Sequence, residues 1–291
     1  MLKRVLVPLD GSQAAEAVLP FVELLAGRAS AEVHLLTVVP AAEEATATSD
    51  AFRYLESLTD RLRGRSLSCE FAITAGEPGD TILSEADAKA VDIIAMSTHG
   101  RSGLARWILG SVADKVVHRT DKPLLLVRAH DGKDRPAATI DRVLVPLDGS
   151  PLSLSVLPFV EEVAATLGAS LVLYNGVPPL DVYPGAETTA ARIGTVIDDL
   201  MEQGRAFLGQ VAREVKERGK VEARSVVTIG FAVDEIVRVA EEVHAGLIAM
   251  ATHGRSGVDR WVMGSVADGV VRRSSLPCLL VRPTEAGRKE G

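Results

Sequence analysis

Residues His99–Asp114 read HGRSGLARWILGSVAD, and residues His253–Asp268 repeat the pattern as HGRSGVDRWVMGSVAD. An apolar run precedes each copy, and a helical pattern follows it. A strand, a glycine-rich turn and a helix that starts near serine together favour anion binding. Glycine lets the backbone approach a phosphate, and the N–H groups at a helix start point towards it. The repeat therefore predicts a chain built twice around a nucleotide-phosphate cradle.

The repeat extends outward to the first strand of each half. Residues Val5–Ser12 read VLVPLDGS, and the same eight residues return at Val143–Ser150, 138 positions later. A continuous apolar run of this length is typical of a strand buried on both faces of a parallel sheet. The Asp-Gly-Ser turn that follows places a serine where it can cap the next helix. Pro20 and Pro158 fall inside those helices and predict a bend or a late start, because each removes one backbone donor.

Four further strands are predicted in each half. They are Val33–Val39, Glu70–Thr74, Ile93–Met96 and Leu124–Val127, and then Leu171–Val177, Glu222–Thr228, Leu247–Met250 and Cys278–Val281. The offset between the halves grows from 138 to 154 by Gly76 and Gly230, so sixteen residues are inserted after the second strand. Such insertions are expected in surface connections.

The helices that follow the third strands are predicted to be capped by Asp80 and Asp234. The residues predicted to face the core from these helices are Ile82, Ala86, Ile236 and Ala240.

Strands that alternate with helices predict an α/β fold of two tandem open parallel five-stranded sheets with helices on both faces. The predicted boundaries are a first domain at 1–128, a linker at 129–141, a second domain at 142–283 and a tail at 284–291. Ligands of such sheets bind outside the carboxyl ends of the strands, where the strand order reverses. We therefore expect the first and fourth strands of each half to flank a site.

Composition narrows the class of partner. The 291 residues carry a net charge of −7, which argues against nucleic acid or an anionic membrane as the main partner. No apolar run approaches the roughly 18 residues that would span a bilayer. The two cysteines show no CxxC spacing, and Met1–Arg4 leads directly into a strand without a signal-peptide pattern. These features predict a reduced, cytoplasmic protein.

Individual residues of the cradle have both structural and functional interpretations. Ser111 is predicted to cap its own helix and to offer a hydroxyl to a phosphate, and Asp114 and Asp268 resemble the acidic partner of a capping box. Arg101 and Arg255 are either phosphate donors or exposed loop residues.

The histidines and the first-strand aspartates are weighed in the same way. His99 and His253 are interpreted as lining the site rather than as catalysts, because no acidic or hydroxyl partner lies at a fixed spacing. Asp10 and Asp148 can form a turn before glycine and can also accept hydrogen bonds from a ribose or a base edge.

Backbone groups at the end of the second strand could contact an adenine edge. Thr37 and Val38 hold this place in the first half, and Asn175 and Gly176 hold it in the second. The two commonest phosphate motifs, GxxxxGK[ST] and GxGxxG, are absent, and the six histidines show no metal-ligand spacing. No catalytic residue and no metal site are therefore predicted.

These motifs resemble the universal stress protein family in its tandem two-domain form. Nucleotide-binding members carry Gly, two residues, Gly, nine residues and then Gly-Ser or Gly-Thr. Gly100, Gly110 and Ser111 match the later part of this pattern, as do Gly254, Gly264 and Ser265. The first glycine is replaced by Ser97 in one half and by Ala251 in the other.

The resemblance implies a fold of the adenine-nucleotide alpha-hydrolase type, with ATP or AMP as bound ligand and Mg²⁺ as the companion ion of ATP. It implies a role in stress response and signalling as a nucleotide-dependent switch that acts on an unknown protein partner. It also implies pairing of the fifth strands, here within one chain as an internal pseudo-dimer, and a possible homodimer of the tandem chain. The implied nucleotide-binding residues are Pro8, Asp10, Val38, Ser97, His99, Gly100, Arg101, Gly110, Ser111 and Val112, and Pro146, Asp148, Gly176, Ala251, His253, Gly254, Arg255, Gly264, Ser265 and Val266.

Two alternatives stay open beside the nucleotide-binding hypothesis. One is a slow ATP hydrolase or phosphotransferase, although no general base or Mg²⁺ carboxylate pair is evident. The other is a stress scaffold that binds no nucleotide, which the side chains of Ser97 and Ala251 and the missing side chain of Gly176 favour.

Overall fold

The computed structural model describes residues 2–40, 44–98, 109–129, 139–179, 190–252 and 263–282. The chain divides into two compact units. The first contains the described residues before Ile140, together with Met263 and Ser275–Arg282, and the second contains Ile140–Thr252 and Gly264–Ser274 within the described ranges. The C-terminal strand of the chain thus belongs to the first unit.

The first unit alternates strands and helices. Its elements are β1 (Arg4–Pro8), α1 (Gln13–Glu16), α2 (Leu19–Ala29), β2 (Glu32–Val39), α3 (Glu44–Arg63), β3 (Cys69–Ala75), α4 (Pro78–Ala88), β4 (Ile93–Ser97), α5 (Ser111–Arg119) and β5 (Leu124–Val127). The strand order is β3-β2-β1-β4-β5, and all neighbours are parallel. The order reverses at β1, which has β2 on one side and β4 on the other.

The second unit repeats this plan. Its elements are β6 (Arg142–Pro146), α6 (Pro151–Leu154), α7 (Leu157–Leu167), β7 (Ser170–Val177), α8 (Ala190–Arg218), β8 (Ala223–Ile229), α9 (Ala232–Glu242), β9 (Leu247–Ala251) and α10 (Ser265–Arg273). Its strand order is β8-β7-β6-β9, again with parallel neighbours. Helix α8 has 29 residues and α3 has 20, so part of the insertion lengthens a helix.

The remaining strand, β10 (Cys278–Val281), pairs with β5 in the antiparallel sense. The register places Cys278 opposite Leu126 and Leu280 opposite Leu124. The prediction that the two fifth strands pair within one chain is therefore confirmed. This pairing gives the backbone N–H and C=O groups at the outer edge of β5 hydrogen-bond partners. An unpaired edge would be able to associate with other chains.

Burial of the first strands explains why the parallel sheets form. Val5, Leu6 and Val7 are fully buried although consecutive side chains point to opposite faces, and the repeat at Val143–Val145 is buried in the same way. The prolines act as predicted. Pro20 lies in the first turn of α2 and Pro158 in the first turn of α7, where the missing N–H group is tolerated. Both helices therefore start late.

Candidate functional site

A cavity of about 280 Å³ opens at the carboxyl ends of β1 and β4 in the first unit. The position agrees with the expectation that the point of reversed strand order hosts the site. The cavity lining combines the ends of β1, β2 and β4 with the starts of α4 and α5. It consists of Pro8, Leu9, Asp10, Ala15, Leu36, Val38, Pro78, Ile82, Met96, Ser97, Thr98, Gly110, Ser111, Val112 and Ala113.

The second unit holds a matching cavity of about 290 Å³ at the carboxyl ends of β6 and β9. Its lining is Pro146, Leu147, Asp148, Ser153, Tyr174, Asn175, Gly176, Ala232, Ile236, Met250, Ala251, Thr252, Gly264, Ser265, Val266 and Ala267. Every predicted nucleotide-binding residue that the structure describes lines one of the two cavities. His99, Gly100, Arg101, His253, Gly254 and Arg255 lie outside the described residues.

The first-strand aspartates are held by the turns that follow them. One carboxylate oxygen of Asp10 accepts hydrogen bonds from the backbone N–H of Ser12 at 2.9 Å and from its hydroxyl at 2.6 Å. Asp148 and Ser150 repeat both distances. Gly11 has a φ of +79°, a conformation that favours glycine. The turn role is thus present, and each carboxylate also lines a cavity.

The structure confirms the predicted cap of α1 and corrects the predicted cap of α5. The Ser12 hydroxyl accepts from the N–H of Ala15 at 3.1 Å, as predicted for the N-cap of α1. Ser111 does not cap α5, because Gly110 is the N-cap residue and Ser111 is the first helical residue. The predicted capping boxes are therefore wrong as well. Asp268 instead pairs with the guanidinium of Arg272 one turn later, at 2.7–2.8 Å.

This correction leaves a glycine at the start of both cradle helices. Glycine has no side chain that could cap a helix, so α5 and α10 have no side-chain cap from Gly110 or Gly264. The N–H of Gly110 donates to the carbonyl of Thr98 at 2.9 Å, and Gly264 donates to Thr252 at 2.8 Å. These bonds fix each helix start beside the end of a central strand. N–H groups at such a start suit an anion.

Ser97 and Ala251, which replace the first motif glycine, are the last residues of β4 and β9. Both are buried, and both line a cavity. Neither has a positive φ, so the backbone at these positions does not require glycine. The substitution therefore adds a small side chain to the cavity wall without backbone strain.

The ends of β2 and β7 are tied to the preceding strand by equivalent side chains. The Thr37 hydroxyl donates to the Leu9 carbonyl at 2.9 Å, and the Asn175 amide donates to the Leu147 carbonyl at 2.7 Å. Sequence reasoning placed these residues at the site but missed this role. A hydrogen-bonding side chain at the same position in both halves is the signal that could have indicated it.

The two cavities differ in the side chains of these same strands. Leu36 and Val38 of the first cavity correspond to Tyr174 and Gly176 of the second, at the offset of 138. A Cβ atom at Gly176 would lie 2.7 Å from the Tyr174 hydroxyl oxygen, so the tyrosine fills the space of the missing side chain. Burial raises the pKa of the Tyr174 phenol, which stays protonated at neutral pH.

Helices α4 and α9 contribute apolar walls that sequence reasoning did not assign to the site. Pro78 and Ile82 line the first cavity, and Ala232 and Ile236 line the second. Ile82 and Ile236 were predicted to face inward, and both are 2% exposed. Their place in a cavity wall depends on how the helix packs on the sheet, which periodicity alone does not specify.

An ion-pair network joins α4 and α5, the two helices whose first turns line the first cavity. The Lys115 ammonium of α5 donates to Glu77 at 2.7 Å and to Asp80 at 2.8 Å, both at the start of α4. The hydrogen bonds from Lys115 lower the pKa of both carboxyl groups. Glu77 is the N-cap of α4, because its side chain accepts from the N–H of Asp80 at 2.9 Å. The prediction that Asp80 caps this helix is therefore wrong.

The second cavity has no lysine at the equivalent position, where Gly269 packs against Val233. Asp234 likewise does not cap α9, whose N-cap is Phe231, and it pairs with Arg273 instead. Within the described ranges, no group of three histidine, cysteine or acidic side chains could hold a metal ion. In the same ranges, no helix is both long and apolar enough to cross a membrane.

Comparison with known proteins places this geometry in a family. A model described as the universal stress protein family matches residues 1–128 and 139–282. The chain belongs to the universal stress protein family. The two matched segments show the tandem form of the family within one chain.

Relatives agree with this assignment. A universal stress protein of Methanocaldococcus jannaschii is 30% identical over 142 residues, which are 48% of this chain and 81% of that protein. One from Mycobacterium tuberculosis is 24% identical over 220 residues, which are 75% of this chain and 70% of that protein. The crystal structure of a universal stress protein from Archaeoglobus fulgidus aligns over 97% of this chain and 98% of its own, with a TM-score of 0.74 and 21% identity. That likeness supports the α/β fold.

Proposed function

We propose that the protein binds an adenine nucleotide, ATP or AMP, in each of its two cavities. One arrangement, found in both units, carries this proposal. The cavity beside the carboxyl ends of two central strands is lined by a helix start with a glycine N-cap and by an aspartate that is held by its turn. Each part suits one part of a nucleotide, and the cavities lie near the lower end of the size range of small-molecule sites.

The phosphates are assigned to the helix starts. At Gly110 and Gly264 the helix dipole and the backbone N–H groups favour negative charge, and the Ser111 and Ser265 hydroxyls add donors. The ribose hydroxyls are assigned to Asp10 and Asp148, since a carboxylate accepts hydrogen bonds from sugar hydroxyls.

The base is assigned to the apolar part of each cavity. In the first cavity, Ile82 of α4 and Val38 of β2 provide the apolar surface, and the backbone at Val38 provides polar groups for a base edge. In the second cavity, Ile236 and Gly176 hold the equivalent places. An apolar pocket with a few fixed polar groups is the usual form of a small-molecule site.

Nucleotide occupancy is proposed to act as a switch for an unidentified protein partner in a cytoplasmic stress response. Residues 99–108 and 253–262 lie in the chain between the fourth strand of each unit and the following helix, and the phosphate is assigned to the start of that helix. The overall charge of −7 does not favour nucleic acid as that partner.

The experiment is a calorimetric titration of ATP and of AMP into the protein and three variants, Gly110→Asp, Gly264→Asp and the double variant. Aspartate is a favoured N-cap residue, and Gly110 has a φ of −61° that any residue adopts, so the helix tolerates the change. The new carboxylate repels phosphate, and affinity is expected to fall more than about tenfold at the altered cavity. We expect two sites per chain in the parent, one in each single variant and none in the double variant.

The control is Gly110→Asn with Gly264→Asn, which caps equally well but adds no charge. It is expected to keep more of the binding than the aspartate pair. A nucleotide that binds only the folded state must also raise the melting temperature. No binding and no thermal shift at millimolar ATP or AMP would contradict the proposal, as would unchanged binding in the double aspartate variant.

A further inference from the structure

The second cavity has polar side chains at two positions where the described lining of the first cavity has none. Ser153 and Asn175 line the second cavity. At the offset of 138, their counterparts in the first unit are Ala15 and Thr37. Ala15 lines the first cavity, whereas Thr37 is not among the described residues that line it. The two walls therefore differ in the hydrogen bonds that they offer to a ligand.

The hydrogen bond of Asn175 fixes the direction in which its amide group is turned. The Leu147 carbonyl can only accept, so the atom 2.7 Å from it is the amide nitrogen. The amide oxygen lies on the side of α8, 2.9 Å from where a Cβ atom at Gly204 would stand. The amide nitrogen has two protons, and one of them is used in the bond to Leu147. Among the residues that the structure describes, the second N–H has no acceptor.

The hydroxyl proton of Ser153 is committed in the same way. Ser153 donates it to the carbonyl of Ser150 at 2.9 Å, and a carbonyl oxygen can only accept. The Ser153 oxygen keeps its acceptor capacity, and within the described ranges no group donates to it. This oxygen can therefore accept a hydrogen bond from a molecule in the cavity but has no proton to donate.

Both groups lie at the turn that holds Asp148. Asn175 bonds to Leu147, the residue before the aspartate. Ser153 bonds to Ser150, whose hydroxyl donates to the Asp148 carboxylate at 2.6 Å. Under the proposed function the ribose binds at Asp148, so the sugar meets one further donor and one further acceptor beside the carboxylate.

The first unit has the same turn without these two groups. Ala15 occupies the place of Ser153 and has no side-chain oxygen. The Thr37 hydroxyl has a single proton, which it donates to the Leu9 carbonyl at 2.9 Å, so no proton is left for a ligand. A sugar hydroxyl at Asp10 therefore meets the carboxylate without a further donor or acceptor from these two positions.

We propose that Asn175 and Ser153 are specificity-determining residues of the second cavity, which select nucleotides with an intact ribose over those that lack one of its two free hydroxyl groups. A sugar hydroxyl is both a donor and an acceptor, so it donates to the Ser153 oxygen and accepts from the Asn175 amide. Loss of that hydroxyl leaves both side-chain groups without a partner, which is how protein sites reject such analogues strongly. This inference rests on the proposed function and deepens it, because it makes the two cavities unequal towards the sugar.

The test compares AMP with 2′-deoxy-AMP and 3′-deoxy-AMP by calorimetry. Each cavity is measured alone, the second in the Gly110→Asp protein and the first in the Gly264→Asp protein. The quantity measured is the ratio of the dissociation constant of each deoxy analogue to that of AMP. The first-strand aspartate contributes to this ratio in both cavities, so the first cavity is the internal reference. We expect the ratio for at least one analogue to be about tenfold higher in the second cavity, equivalent to one well-placed hydrogen bond.

Variants that exchange residues between the units separate this role from a structural one. Asn175→Thr keeps a donor for the Leu147 carbonyl but has no second proton, and Ser153→Ala removes the oxygen. The double variant is expected to lower the second-cavity ratio about tenfold to the first-cavity value, because it weakens AMP binding and leaves the binding of the deoxy analogue unchanged. A purely structural role would weaken both ligands equally and leave the ratio as it is. Ala15→Ser, the reverse change in the first unit, is expected to raise the first-cavity ratio.

The possible failures are distinguishable. If AMP binds the second cavity and both ratios equal those of the first cavity, or are unaffected by the double variant, the inference is overturned and the proposed function stands. If AMP does not bind the second cavity in the Gly110→Asp protein, the inference is overturned together with the proposed function for that cavity. A higher ratio in the second cavity that falls in the double variant supports both.

Discussion

Replacing Gly176 by valine, the residue at the matching position of the first unit, is expected to destabilise the second unit. The new Cβ would lie 2.7 Å from the Tyr174 hydroxyl oxygen, which is closer than van der Waals contact allows. Tyr174 cannot move away easily, because it is buried and its hydroxyl is bonded to Thr228. Overpacking of this kind costs about 1–3 kcal/mol of unfolding free energy.

A second change should relieve that clash. Tyr174→Leu alone removes a buried ring and a hydroxyl and is expected to cost about 2–4 kcal/mol. The double variant Tyr174→Leu/Gly176→Val recreates the pair Leu36 and Val38 of the first unit. The loss of unfolding free energy in the double variant should be about 1–3 kcal/mol smaller than the sum of the losses in the two single variants. The reason is that the clash exists only when tyrosine and valine are both present.

The assay is urea unfolding followed by circular dichroism, with hydrogen exchange of β7 peptides to assign the transition to the second unit. The matched control is Val38→Ile in the first unit, which enlarges a side chain without a tyrosine beside it. Strict additivity of the two single variants would refute the reasoning, because it would mean that the space over Gly176 is not filled by Tyr174.

Three further predictions concern stability. Arg218→Ala leaves the fully buried Glu161 carboxylate without its guanidinium partner, now at 2.7–3.1 Å, and should lower the unfolding free energy by about 3 kcal/mol in urea titrations; a loss below about 1 kcal/mol would contradict it. Burial raises the pKa of the Cys278 thiol to about 12, whereas an unfolded thiol titrates near pH 8.5. The folded state therefore keeps this proton to a higher pH than the unfolded state, and the unfolding free energy should fall as pH rises from about 8.5 towards 12. Cys278→Ala should reduce this dependence of the melting temperature on pH. Ser12→Ala removes the cap on the N–H of Ala15 and should cost about 1 kcal/mol, so an unchanged melting temperature would refute the capping role.

The sequence was sufficient for features that depend on local pattern. The run Val5–Val7 predicted a strand buried on both faces, and the repeat of that run predicted two similar units, because burial on both faces leaves no polar position in the strand. Pro20 predicted a late helix start from the loss of one donor. Asp10 was placed at the site because parallel strands share one carboxyl edge, whereas Ser97 was placed there by the family resemblance.

Features that depend on packing were missed or misplaced. Gly110 and Ser111 are adjacent, and which of them begins α5 depends on the bond from Gly110 to the end of β4, not on residue preference. Ile82 was assigned to the core, and its place in a cavity wall required the position of α4 on the sheet. In the sequence, Tyr174 is one residue of the apolar run that predicts the strand Leu171–Val177. Its hydroxyl became informative only with Thr228, 54 residues later, beside it.

The pairing of β5 with β10 has a consequence for the time course of synthesis. The two strands are paired in the first unit but are separated by about 150 residues of chain. At about 5–20 residues per second, a ribosome needs roughly 8–30 s to travel from one to the other. Throughout that interval the edge of β5 has no strand beside it, although the rest of the first sheet can already fold. An edge that is paired in the finished protein is therefore open for this interval, and an unpaired strand edge is a site at which other chains can associate.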